Sequence, residues 1–79
     1  MLSVGGKVID SNNGNPIENA TVIVGTNWAL SDDWGRFTIA AQFEPGVYTI
    51  KVLQRNYQPL VSEISLSYDS NLDIPLVPS

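Results

Sequence analysis

The chain has 79 residues, room for one domain, and a formal net charge of −4 from eight carboxylates set against four Lys and Arg. It holds no cysteine and no histidine, which excludes disulfides, thiolate metal sites and the side chain that most often acts as general base or neutral metal ligand. Four scattered cations form no phosphate-tracking stripe, and anionic lipid repels an acidic chain, so neither nucleic acid nor a membrane is expected as a partner.

Strand signals recur at short intervals between Gly, Pro, Asn and Asp. Val4 to Asp10 reads as the first strand, with Val8 on one face and Ile9 on the other. The run Ser11-Asn12-Asn13-Gly14-Asn15-Pro16 is turn chemistry, since Asn and Gly accept positive φ and Pro cannot donate to a ladder. Ala20 to Val24 follows, apolar on both faces and so expected at the centre of its sheet. Thr26 to Ser31 is a shorter strand, and Asp32-Asp33-Trp34-Gly35 then reverses the chain as an antiparallel hairpin into Arg36 to Ala41. There Phe37, Ile39 and Ala41 alternate with Arg36, Thr38 and Ala40.

Glu44-Pro45-Gly46 makes the next turn, with Gly46 expected at positive φ. Val47 to Arg55 is the longest strand, turning Tyr48, Ile50 and Val52 one way and Thr49, Lys51 and Leu53 the other. Pro59 to Ser67 places Ile64 and Leu66 inward and Glu63, Ser65 and Ser67 outward. Leu72, Ile74 and Leu76 complete the pattern, and Pro75 among them marks an edge strand. No apolar run approaches the ~20 residues of a membrane-spanning helix, and the residues from Met1 to Gly6 lack the basic start and apolar stretch of a signal peptide. The fold expected is all-β: a seven-stranded, antiparallel Greek-key sandwich filling 1–79 as one domain, its core over about 4–77.

Five elements occur in order: Gly6-Lys7-Val8-Ile9-Asp10, Gly14-Asn15-Pro16-Ile17, Ala20-Thr21-Val22, Asp32-Asp33-Trp34-Gly35-Arg36-Phe37 and Pro45-Gly46-Val47-Tyr48-Thr49-Ile50. On these the chain resembles the carboxypeptidase regulatory-like domain, a transthyretin-like seven-stranded sandwich. Asn56-Tyr57 departs from the family pattern, which often has Gly before the aromatic, and Trp34 stands where the family usually has something small or polar. The resemblance implies an accessory module that follows a peptidase domain, precedes an outer-membrane receptor or sits in a bacterial surface protein, with no catalytic residue in the sandwich. Fold alone does not assign function.

The residues admit little chemistry. Asp32-Asp33 is the one adjacent carboxylate pair, but neighbours in a tight turn diverge and are better read as turn makers than as an acid/base pair. Asp10, Asn12 and Gly14 begin a calcium-loop pattern that fails, because its glycine comes one place early and Thr21 stands where the bidentate Glu belongs. No histidine can activate a serine, so neither catalytic residues, cofactor nor metal is expected.

Three aromatics are left unassigned by the alternation. Trp28 either fills the end of the sandwich or joins Trp34 and Tyr57 in an exposed platform. Trp34, between Asp33 and Gly35 at a turn tip, reads as an interface anchor, and protein is favoured over carbohydrate as what it touches. Asn19-Ala20-Thr21 matches the N-glycosylation pattern. The expectation is a non-catalytic module, extracellular or at the cell surface, that binds copies of itself or a larger host protein, with a self-assembled surface fibre as one form. A carbohydrate-binding module and an accessory domain of a larger peptidase or outer-membrane receptor are the alternatives.

Overall fold

Alternation of apolar with polar residues suits a strand with one buried face, and the chain forms seven: β1 (Leu2–Asp10), β2 (Thr21–Val24), β3 (Asn27–Leu30), β4 (Arg36–Phe43), β5 (Gly46–Leu53), β6 (Leu60–Leu66) and β7 (Ser70–Leu76). The computed structural model describes residues 2–67 and 69–79, the side chains of residues 2, 40, 42 and 70 excepted. The expected outward side chain of Ala40 therefore lies outside the described residues. The strands make two sheets, ordered β4-β1-β7 and β3-β2-β5-β6.

Val4 and Val8 of β1, Val22 and Val24 of β2, Phe37, Ile39 and Phe43 of β4, Ile50 and Val52 of β5, Leu66 of β6, and Ile74 and Leu76 of β7 are buried between the sheets, with Ile17 and Ala20 closing one end. Burying each of the larger side chains contributes about 1.5–3 kcal/mol. Phe43 and Tyr48 meet edge to face, centroids 5.3 Å apart and planes at 81°, a geometry the ring quadrupoles favour. As expected, β2 is central and β7 is an edge strand. The Leu76 carbonyl faces β1, accepting from the Ser11 N–H at 2.9 Å. Backbone groups alternate in direction along a strand, so Pro75 points its missing N–H at the free edge, where no ladder bond is lost.

Two expectations need correction. The sandwich is not wholly antiparallel: β1 and β7 pair in parallel, from Val4 beside Ser70 to Asp10 beside Leu76. The Asp32–Gly35 turn does not close a hairpin either. β3 pairs with β2 and β4 pairs with β1, so the turn carries the chain from one sheet to the other. Gly46 has the positive φ expected of it, 158° where it opens β5, and Gly35 has 76°.

Ser31 explains how the sheet change is held. It is buried, its hydroxyl donates to the Ile17 carbonyl at 2.7 Å and its Oγ accepts the Ala20 N–H at 2.9 Å. Main-chain bonds from Ser31 N–H to the Ala20 carbonyl and from Asn19 N–H to the Ser31 carbonyl, both 3.0 Å, complete the junction.

Candidate functional site

The turn carrying Trp34 is built around one carboxylate. Asp32 Oδ1 accepts the N–H groups of Trp34 and Arg36, each at 2.9 Å. The Asp32 N–H donates to the Arg36 carbonyl and the Gly35 N–H to the Asp32 carbonyl. Asp32 is thus the turn maker read from the sequence, and Val8 N–H to the Gly35 carbonyl, 2.7 Å, fastens the turn to β1. An added Cβ at Gly35 would lie 2.6 Å from the Val8 carbonyl oxygen and 3.0 Å from Pro16 Cβ, so only glycine fits this approach.

From this fixed backbone Trp34 projects 66% exposed. The Arg36 guanidinium lies 5.9 Å from its ring centroid, a cation–π distance that sequence reasoning did not anticipate, although residues two apart around a glycine turn could have suggested it.

Trp28 does not fill the end of the sandwich; it is 62% exposed. In β3 the large residues Trp28 and Leu30 point out while Asn27 and Ala29 turn inward. β3 comes up against β4 of the opposite sheet, and Ala29 is the small residue packed there against the core.

Tyr57 is half-buried against the core. Its hydroxyl donates to Asp10 Oδ2 at 2.8 Å, and Asp10 Oδ1 accepts the Asn12 N–H at 2.7 Å. The Asn12 N–H, then the Tyr57 hydroxyl, hold the Asp10 carboxyl below its ordinary value, and Asp10 in turn raises the Tyr57 phenol. Both oxygens of Asp10, the first residue of the failed calcium pattern, therefore serve the fold.

The three aromatics form no single plane. Trp34 and Tyr57 sit in the β3–β4 and β5–β6 loops at one end of the sandwich, while Trp28 stands on the outer face of the four-stranded sheet. Beside Tyr57 an open hollow of about 680 Å³ is lined by Asn19, Thr21, Leu53, Gln54, Arg55 and Pro59. Asn19 is exposed, in the left-handed conformation at φ 62°.

The outer face of that sheet is the feature sequence reasoning missed. The pairings place Trp28, Ile23, Lys51 and Val61 in one row across it and Leu30, Thr21 and Leu53 in the next. Trp28, Leu30, Val47, Leu53 and Val61 are five of the seven large exposed apolar side chains among the described residues, so exposed apolar surface is concentrated here.

A three-stranded and a four-stranded sheet stacked in this way define a transthyretin-like β-sandwich. Residues 3–77 match the carboxypeptidase regulatory-like domain, and the chain belongs to that family. Among solved structures, type II cohesin–X–dockerin complexes from Acetivibrio cellulolyticus match in two interface-mutant forms. Identity is 25% in both, with TM-scores of 0.72 for the C-terminal mutant and 0.75 for the N-terminal one. Each alignment covers 98% of this chain but 56% of the other, so the chain spans just over half the length of those relatives. The 5-hydroxyisourate hydrolase of Klebsiella pneumoniae matches with a TM-score of 0.75 at 15% identity, over 98% of this chain and 91% of that one; this likeness shows the fold alone. No curated protein matches the chain in sequence.

Proposed function

We propose that the chain is a non-catalytic module, extracellular or at the cell surface, that works by protein–protein contact, and that Trp34 is its leading anchor. The observation that carries this reading is a tryptophan 66% exposed on a turn whose backbone is held by Asp32 and β1. A large aromatic presented from a preorganised backbone loses little freedom on binding. Support also comes from relatives at 25% identity that were solved as cohesin–X–dockerin complexes, themselves assemblies of proteins. A repeating subunit of a surface fibre is one concrete form. On an exported chain, exposed Asn19 is open to glycosylation.

Light scattering with negative-stain microscopy tests this form: growth of extended assemblies with concentration, weakened by Trp34→Ala in a folded domain, is the expected result. Assemblies unchanged by that substitution would remove the anchor role.

A second reading, carbohydrate binding, draws on the hollow beside Tyr57, where Asn19, Gln54 and Arg55 offer polar groups around an aromatic. Tryptophan and tyrosine fluorescence titrated with oligosaccharides distinguishes it. A third, an accessory domain of a larger peptidase or receptor, draws on the 56% coverage of the matched chains.

A further inference from the structure

We infer that the outer face of the four-stranded sheet is a self-association face, on which a second copy of this chain packs by a two-fold axis. The inference rests on the protein-contact reading above but puts self-contact on a surface separate from the Trp34 turn.

The two outer faces of the sandwich differ in kind. Across the three-stranded sheet the exposed side chains of Ser3, Lys7, Arg36, Thr38, Asn71 and Asp73 make an ordinary solvated surface. Across the four-stranded sheet Trp28, half-buried Ile23, Lys51 and Val61 stand in one row, and Leu30 and Leu53 flank half-buried Thr21 in the next. An antiparallel sheet can leave one face to water, but that face is then polar. This one has the composition of an interface core, aromatic and aliphatic with few charges.

The charges present choose the occupant. Within the paired rows Lys51 lies opposite Val61 and Glu63 opposite Thr49, so the two are diagonal neighbours across β5 and β6. An apolar partner would desolvate both and bring neither a counter-charge of its own. An acidic partner would answer Lys51 and repel Glu63. A second copy related by a two-fold axis passing between them sets Lys51 over the partner copy's Glu63 and the reverse, so one contact is made twice, as isologous packing requires. Strand spacing and rise give the face roughly 400 Å² in projection. That is below the ~800 Å² per partner of a standard interface, so the dimer is reversible.

Sedimentation equilibrium of the full chain, from about 1 μM to about 500 μM, tests this. A monomer–dimer equilibrium is expected. Trp28→Ala should raise its Kd about 30-fold, the scale of a large aromatic anchor. Lys51→Glu should raise the Kd about tenfold or more, because it sets like charges face to face, and adding Glu63→Lys to it should restore dimerisation. Circular dichroism should show all these variants folded, since none of the side chains is in the core. A monomer at every concentration, or a dimer indifferent to Trp28→Ala and to the charge swap, would overturn the inference. Trp34→Ala should leave this dimer unchanged while weakening larger assemblies, and the reverse pattern would overturn the face while upholding the turn as anchor.

Discussion

The Tyr57 hydroxyl donates a 2.8 Å hydrogen bond to Asp10 Oδ2, joining positions 47 residues apart. It ties the β5–β6 loop to the end of β1, bridging the two sheets where the chain leaves each of them. This pair should be visible in the acid limb of the stability curve. The Asp10 carboxyl is held below its ordinary value of 3.8, first by the Asn12 N–H and then by Tyr57. Above 3.8 its contribution is complete; as pH falls through the lowered folded value the unfolded chain takes up the proton first, and stability is lost. Tyr57→Phe should lower the melting temperature at neutral pH and move the Asp10 carboxyl, followed by carbon NMR, part of the way back up. The shift is partial because the Asn12 bond remains. At the alkaline end the raised Tyr57 phenol contributes fully below its ordinary value of 10.0, and that contribution disappears as pH rises through the folded value.

Ser31→Ala should destabilise the domain by about 2–3 kcal/mol in urea unfolding, with the slope unchanged, because it leaves a buried carbonyl and a buried N–H without the partner they have now. Loss of less than about 0.5 kcal/mol would mean the junction relaxes to water.

Gly35 and Gly14 share a φ of 76°, but a Cβ at Gly14 meets nothing within 4 Å while one at Gly35 meets the Val8 carbonyl and Pro16. Gly14→Ala should therefore cost about 1 kcal/mol, the conformational term alone. Gly35→Ala should cost about 2 kcal/mol more, as the turn is pushed off β1. Paired thermal melts give the difference directly.

Trp34→Ala should change stability by about 0.5 kcal/mol or less, since it removes one exposed cation–π contact. The same melts therefore separate an anchor from a core residue.

Asn19 carries a conformational role whatever is attached to it. At φ 62° it tolerates what alanine does not, so Asn19→Ala should cost about 1 kcal/mol and Asn19→Gly close to nothing.

How much of this was legible depends on what alternation encodes. In β5, Tyr48, Ile50 and Val52 declare their face because the strand is long and its outer residues Thr49 and Lys51 are polar. Pro75 declares an edge by what it cannot donate. Alternation says nothing about which strand lies alongside, so the parallel β1–β7 pair was invisible, and so was the fact that the Asp32 turn joins two sheets. β3 is the sharper failure. Its large residues face out and its small ones in, with Ala29 packed against the core where β4 of the other sheet comes up to β3, a constraint of packing between sheets that alternation does not encode. Tyr57 could be placed only by finding Asp10, 47 positions away.

The parallel register of β1 and β7 has a mechanical meaning. Because the first strand and the last run in the same direction, the chain enters at one end of the sandwich and leaves at the other. Tension applied through neighbours on either side would run along the strand axis and load the whole β1–β7 ladder in shear, so its hydrogen bonds must fail together and not one after another. A module strung in line under pull is clamped by the pair of strands that its sequence places furthest apart.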